Sequence, residues 1–137
     1  MSNGLRHVTT LEPEVAELLA LAMYPDSVRV RAALEKYASD PQRQVWVWQA
    51  RGKPVCAIGL RINGNAAEIL HIGTQLDARR QGHARQLLFA LLERLDLTTL
   101  EAETDDGAAG FYRRAGFKVE ETEGRGGHVR YRCTLLT

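Results

Sequence analysis

The chain has 137 residues, 45% of them hydrophobic, which suits one domain with an enclosed core and argues against a second. Eighteen Lys and Arg against 17 Asp and Glu leave a net charge of +1, so charge acts locally, and neither nucleic acid nor a membrane surface is an expected electrostatic partner. No apolar run approaches the roughly 18 residues of a membrane helix, and Met1 to Arg6 lacks the apolar segment of a secretory signal, so a cytoplasmic location is expected.

Leu5 to Thr9 reads as a first strand. From Pro13 to Met23, Val15, Leu18, Leu19 and Ala22 keep helical spacing, Pro13 is tolerated in the first turn and Pro25 stops the run. Asp26-Ser27 starts a second helix, in which Val30, Ala33, Leu34 and Tyr37 repeat that spacing until Ser39-Asp40-Pro41. Gln44 to Ala50 alternates Val45 and Val47 with Trp46 and Trp48, as expected of a strand covered on both sides. Arg51-Gly52-Lys53-Pro54 turns the chain into a strand at Val55 to Ile62, and Asn63-Gly64 is a hairpin signal leading to Ala67 through about Thr74. A helix is expected from about Gln81 to Leu95, then a strand at Leu97 to Thr104, a short helix at Asp106 to Ala115 and a strand at Phe117 to Glu123. A Gly-rich turn at Gly124 to Gly127 and a last strand at His128 to Leu136 follow. The order βααβββαβαββ implies an α/β chain with a single twisted mixed sheet and helices on both faces. Cys56 and Cys133 stand in strand-like contexts without a CxxC or a His at ligand spacing, so they read as buried reduced thiols, and no metal is implied.

The most informative segment is Arg79-Arg80-Gln81-Gly82-His83-Ala84. It lies between a strand and a helix whose Ala84, Leu87, Leu88, Leu91, Leu92 and Leu95 form one apolar stripe. A helix start leaves backbone N–H groups unpaired and presents the positive end of its dipole, and the small residues Gly82 and Ala84 let an anion come close. The same turn also suits an ordinary Gly-containing start of a core helix. Neither the P-loop pattern nor the dinucleotide fingerprint occurs, so those two kinds of phosphate loop are excluded.

Arg79 to Ala84, as R-x-x-G-x-A, resembles the signature R/Q-x-x-G-x-G/A with which the GNAT superfamily of N-acetyltransferases holds the pyrophosphate of acetyl-coenzyme A. Ala108-Ala109-Gly110-Phe111-Tyr112-Arg113-Arg114-Ala115-Gly116-Phe117 is similar to the family's downstream A-x-x-F-Y-x-x-x-G-F. Glu68 precedes Arg79 at the interval that separates a catalytic glutamate from the same loop in histone-acetylating members. The resemblance covers about Val45 to Phe117 by motif and implies a fold with this order of elements. One departure is Asp105: many members carry Asn seven residues before the motif tyrosine, where its side chain meets the cofactor. A carboxylate can accept from a pantetheine amide, but it cannot donate and it repels phosphate.

The resemblance implies acetyl-coenzyme A as co-substrate, with the pyrophosphate on the N–H groups around Gln81 to Arg85 and charge added by Arg79 or Arg80. The backbone of Ile72, Gly73 and Thr74 is expected to partner the pantetheine arm. Attack by an amine needs its lone pair free, so a carboxylate is a natural base. Glu68, charged in the otherwise apolar Ala66 to Gly73 run, is the candidate, against the alternative of a solvated or ion-paired strand residue. Tyr112 is the candidate acid for the leaving thiolate, against the alternative of a core aromatic. His71 is a second base or a satisfied strand residue, and His83 more plausibly lends a backbone N–H than imidazole chemistry. Between the first two helices, Tyr24 and Asp26 are candidate acceptor-lining residues, and Glu68, Glu101, Glu103, Asp105 and Asp106 hint at a cationic amine. The expected function is acetyl transfer to a primary amine of a small molecule or peptide, by direct attack in a ternary complex, with a homodimer compatible with it. The competing function is a non-catalytic module on the same fold that binds acyl-coenzyme A or a partner.

Overall fold

The computed structural model describes residues 3–124 and 129–137. Strand β1 (Gly4–Val8) leads into helices α1 (Pro13–Ala20) and α2 (Ser27–Ser39), then β2 (Arg43–Ala50), β3 (Lys53–Asn63) and β4 (Ala66–Thr74). A 3-10 turn at Leu76–Ala78 precedes α3 (His83–Arg94), which is followed by β5 (Thr99–Thr104), α4 (Asp106–Arg114), β6 (Lys118–Glu123) and β7 (Val129–Leu136). The strands form one mixed sheet in the order β1-β2-β3-β4-β5-β7-β6, with β4 and β5 parallel and the other pairs antiparallel. The expected order of elements, the mixed sheet and the helices on both faces are all present. The expected Gly-rich turn at Gly124 to Gly127 and the start of the last strand at His128 fall largely outside the described residues.

Boundaries differ where local hydrogen bonds intervene. The first helix stops at Ala20 rather than Met23, because Ala22 N–H and Met23 N–H turn back to the carbonyls of Leu19 and Ala20 in a tight final turn. The second helix is capped by Asp26, whose carboxylate accepts from Val28 N–H at 3.0 Å and Arg29 N–H at 3.1 Å. Strand β3 starts at Lys53, earlier than expected, because Arg51 and Gly52 alone make the turn, both with positive φ (54° and 78°). Pro54 is accommodated within the strand beside a register shift at Trp48/Gln49.

Two cores lie on opposite faces of the sheet. On one, Leu87, Leu88 and Leu91 of α3, each at most 1% exposed, pack with Ile58, Leu60, Ile69, Leu100 and the α4 residue Tyr112. Full burial of each such leucine contributes on the order of 2 kcal/mol. On the other, Val15, Leu18 and Leu19 of α1 cover Val45, Val47 and Ala57, with Leu34 and Tyr37 of α2 at the margin. The alternation along β2 therefore serves both cores. Cys56 and Cys133 are free, buried thiols, as expected.

Candidate functional site

The parallel ladder between β4 and β5 is short. It runs from Ala66 opposite Thr99 to Ile69 opposite Ala102 and then stops, although β4 continues to Thr74 and β5 to Thr104. A register shift between Gly59 and Leu60 of β3 leaves Leu70 of β4 unmatched at that same level. Beyond it the two strands diverge, so His71 to Thr74 face a gap instead of a neighbouring strand. This is where Ile72, Gly73 and Thr74 were expected to present backbone. Gly73 has a further role: a Cβ there would collide with the backbone carbonyl of Leu18, so its lack of a side chain lets α1 lie directly on β4.

At the mouth of the gap the chain reverses through Arg80 and Gly82, both left-handed (φ 65° and 80°), and enters α3. No side chain caps this helix, and the first residue to bond back into it is Gln86, N–H to Gly82 carbonyl, at 3.0 Å. The N–H groups of His83, Ala84 and Arg85 therefore have no partner within the helix. A Cβ built on Gly82 meets nothing within 4 Å, so the space before these donors is open. Arg79, Arg80 and Arg85 are exposed around it; Arg79 Nε donates to the Thr74 carbonyl at 3.3 Å and the Arg85 guanidinium lies over the Phe89 ring. The Gln81 and His83 side chains engage each other, Oε1 to Nε2, at 3.2 Å. An open helix start with flanking arginines fits a diphosphate, and the adjoining gap fits an amide-bearing arm.

On the sheet face that carries α1 and α2, the gap opens into a cleft of about 360 Å³ lined by Tyr24, Arg29, Leu70, His71, Glu103 and Asp105, among others. Arg130, Glu103 and Asp105 also line an adjoining cavity that reaches Asp106 and Glu123. Glu103 pairs with Arg130 at 3.5 Å, and Asp105 caps α4 by accepting from Ala108 N–H at 3.2 Å. Capping accounts for a carboxylate at position 105. Of the expected acceptor-lining residues, Tyr24 and His71 reach the cleft, whereas the Asp26 carboxylate is turned to the start of α2. Of the acidic residues, Glu103, Asp105 and Asp106 gather here, and Glu101 is exposed on β5 outside both cavities.

Glu68 stands on the same face of β4 as His71 but below the divergence, still in register with Glu101. Its carboxylate pairs with Arg61 at 3.5 Å, its side chain is about half exposed (47%), and it does not line the cleft. The structure thus does not bring Glu68 together with His71, Glu103 and Asp105. Tyr112 is 4% exposed on the inner side of α4, edge-on to both Phe111 and Phe117. Burial raises its pKa, so the phenol holds its proton at neutral pH.

Tyr37, one residue of the apolar stripe of α2, and Arg43, at the start of β2, carry no site signal in the sequence. Tyr37 crosses from α2 to β4, where its hydroxyl is hydrogen-bonded to His71 Nδ1. It can do so because Gly59, opposite His71, leaves room for the ring; a Cβ at Gly59 would collide with it. The Arg43 guanidinium lies 5.5 Å from the Tyr37 ring centroid. Burial first, and then the nearby Arg43 charge, lower the His71 pKa from its ordinary value. The pairing of a β-strand glycine with a helix tyrosine is the only trace of this cluster in the sequence, and neither residue type is diagnostic alone.

Residues 12–132 match the family model described as an acetyltransferase (GNAT) domain. Among solved structures the chain is similar to a GNAT family acetyltransferase from Elizabethkingia anophelis with acetyl-CoA bound, at 17% identity over 98% of both chains with a TM-score of 0.74. It is also similar to an acetyltransferase from Bacillus subtilis in complex with CoA, at 16% identity over 99% of both chains with a TM-score of 0.75. A variant of the spermidine N-acetyltransferase from Vibrio cholerae is similar at 17% identity, over 98% of this chain and 93% of that one, with a TM-score of 0.71. Among curated proteins no sequence match is found.

Proposed function

We propose, for a chain that belongs to the GNAT acetyltransferase family, that it moves an acetyl group from acetyl-coenzyme A to a primary amine, by direct attack while both substrates are bound. The observation that carries this is the continuity of three features: the uncapped start of α3, the gap between β4 and β5, and the cleft on the far side of that gap. A diphosphate on the N–H groups of His83 to Arg85 would leave a thioester at the end of the gap, facing whatever occupies the cleft. Arg79 and Arg80 would neutralise the diphosphate, and the β4 backbone from Ile72 to Thr74 would orient the arm.

The chemistry asked of the side chains is modest. An alkylammonium must lose a proton before it attacks, and the departing thiolate must gain one. Tyr112, held protonated by burial, is assigned the second task. Glu68 and His71, both on β4, are the two groups available for the first. A covalent acyl-enzyme is not part of the proposal: Cys56 is fully buried and its thiol pKa is pushed up to about 11 by that burial. The carboxylates around the two cavities favour a cationic acceptor from the small-molecule or peptide amines.

Two measurements test the proposal. Acetyl-coenzyme A should raise the midpoint of thermal unfolding well beyond NAD or ATP at equal concentration, because it binds the folded state selectively. A panel of primary amines should then include one that releases free thiol from acetyl-coenzyme A with formation of the N-acetyl product. Stabilisation without turnover of any amine would point to the non-catalytic module instead.

A further inference from the structure

We propose that His71 is the proton acceptor for the incoming amine and that Tyr37 is its positioning residue, fixing the imidazole so that Nε2 is the free nitrogen toward the cleft. This rests on the acetyl-transfer proposal above and deepens it by choosing between the two candidate bases.

The geometry separates them. His71 lines the cleft, at the level where β4 and β5 have parted, whereas Glu68 lies where they are still paired and is occupied by Arg61. His71 has one nitrogen, Nδ1, committed to the Tyr37 hydroxyl, so Nε2 is the nitrogen left for chemistry. In the neutral ring one nitrogen carries hydrogen and the other accepts. For Nε2 to accept, Nδ1–H must donate to the Tyr37 oxygen, and Tyr37 is suited to that. Burial keeps it a neutral phenol, with an oxygen that accepts and no charge that would pull His71 into its cationic form. The arrangement also accounts for the missing side chain at Gly59, which admits the tyrosine, and places beside the pair Arg43, which is ion-paired to Asp40 at 3.4 Å and whose charge opposes protonation of the resting imidazole.

The step balances as follows. The amine nitrogen attacks the thioester carbonyl and forms the C–N bond, and its surplus proton passes to His71 Nε2. The C–S bond breaks, the electron pair leaves on sulfur, and the thiolate is protonated by Tyr112. The imidazolium then returns its proton to solvent through the cleft, and the Tyr112 phenolate regains one from solvent as the thiol departs. A neutral amine thus reacts with no net proton release, and an alkylammonium releases the one proton it loses before attack. Groups that bear on His71 are Tyr37 and Arg29 from α2, Arg43 from β2, and Glu103, Asp105 and Arg130 across the cleft, with Glu68 and Arg61 further along the same face. Because His71 works as a free base, kcat/KM should fall as pH drops through its pKa, which lies below the ordinary 6.5.

The experiment combines histidine-labelled NMR with kinetics on wild type, His71→Gln and Tyr37→Phe, using an amine identified from the panel. The expected spectrum shows neutral His71, assigned by its loss in His71→Gln, with hydrogen on Nδ1, and the tautomer becomes mixed in Tyr37→Phe. His71→Gln should lower kcat by about 10²-fold and remove the acidic limb of the pH profile. Tyr37→Phe should lower kcat by about 10-fold and shift that limb, with KM and the acetyl-coenzyme A thermal shift unchanged in both variants. A resting tautomer with hydrogen on Nε2, or a wild-type rate and pH profile in His71→Gln, overturns the proposal while leaving acetyl transfer in place. If no amine is acetylated by wild type, the acetyl-transfer proposal fails first and takes this one with it. If His71→Gln shows no cooperative unfolding transition it has lost its fold, and His71→Asn supplies the same comparison. A folded His71 variant that loses the cofactor-induced thermal shift overturns the proposal, because His71 then serves cofactor binding.

Discussion

The mouth of α3 and the cleft beside His71 lie at opposite ends of one gap and are built by different means. The mouth is made of backbone: three N–H groups, a glycine at φ 80° and open space before them. The cleft is made of side chains drawn from α2, the loop before it, β4, β5 and β7. A backbone device needs small residues at fixed places and tolerates almost anything elsewhere, so it can be shared among proteins with different substrates. A side-chain device can be altered one residue at a time. On the proposed function, ligand chemistry common to many enzymes belongs at the first end, and selectivity for one acceptor at the second.

The comparison is broken most severely where the two ends share a support. Gly73 carries the contact between α1 and β4, and Gly73→Ala should cost about 3 kcal/mol or more in denaturant unfolding, because the new Cβ meets a carbonyl that cannot rotate away. A loss within about 0.5 kcal/mol would show that α1 can lift off the strand without penalty. Gly82→Val attacks the mouth alone. A Cβ at this position meets nothing within 4 Å, so the fold should survive at a backbone cost of about 1–2 kcal/mol from the positive φ. The cofactor's stabilising effect, roughly 2.7 kcal/mol at 100 times Kd in wild type, should be abolished. An undiminished thermal shift with acetyl-coenzyme A would move the diphosphate elsewhere.

Tyr112→Phe tests the chemistry between the two ends, removing one oxygen from an aromatic cluster that otherwise stays packed. If the phenol protonates the leaving thiolate, kcat should fall by about 10²-fold with cofactor Kd nearly constant. Stability and turnover both within about 0.5 kcal/mol of wild type would leave Tyr112 as core. The smallest effect is expected from Glu68→Gln. Its ion pair with Arg61 is partly exposed and worth at most about 1 kcal/mol, and with His71 taking the proton the pH profile should keep its shape. A large fall in kcat that shrinks as pH rises would return the base's role to Glu68.

What could be read from the sequence follows the same division. The Gly82 turn, the α3 stripe and the alternation of β2 are local patterns, and each appears in the structure within a few residues of its expected place. The errors at helix and strand ends arise from turns closed by backbone bonds, as after Ala20, or by paired positive-φ residues, as at Arg51 and Gly52. The cleft was legible only in part. Tyr24 and His71 were singled out and line the cleft, and Asp26, expected both to start the second helix and to line the acceptor pocket, caps α2. Tyr37 and Arg43 were missed for a physical reason: their place beside His71 depends on a crossing between α2 and β4 over Gly59, 34 residues of separation for the Tyr37–His71 bond, which no periodicity records.

The short ladder between β4 and β5 also has a mechanical consequence. Among the described residues, four ladder pairs, Ala66–Thr99 to Ile69–Ala102, join the β1–β4 part of the sheet to the β5–β7–β6 part, beside a core in which the α3 leucines pack with residues of both. The sheet is therefore two leaves bound along part of one edge, like a book whose spine is stitched at the bottom and open at the top. Anything with amides along its length that lodged in the open part would extend the stitching, and the two leaves would then resist separation as one.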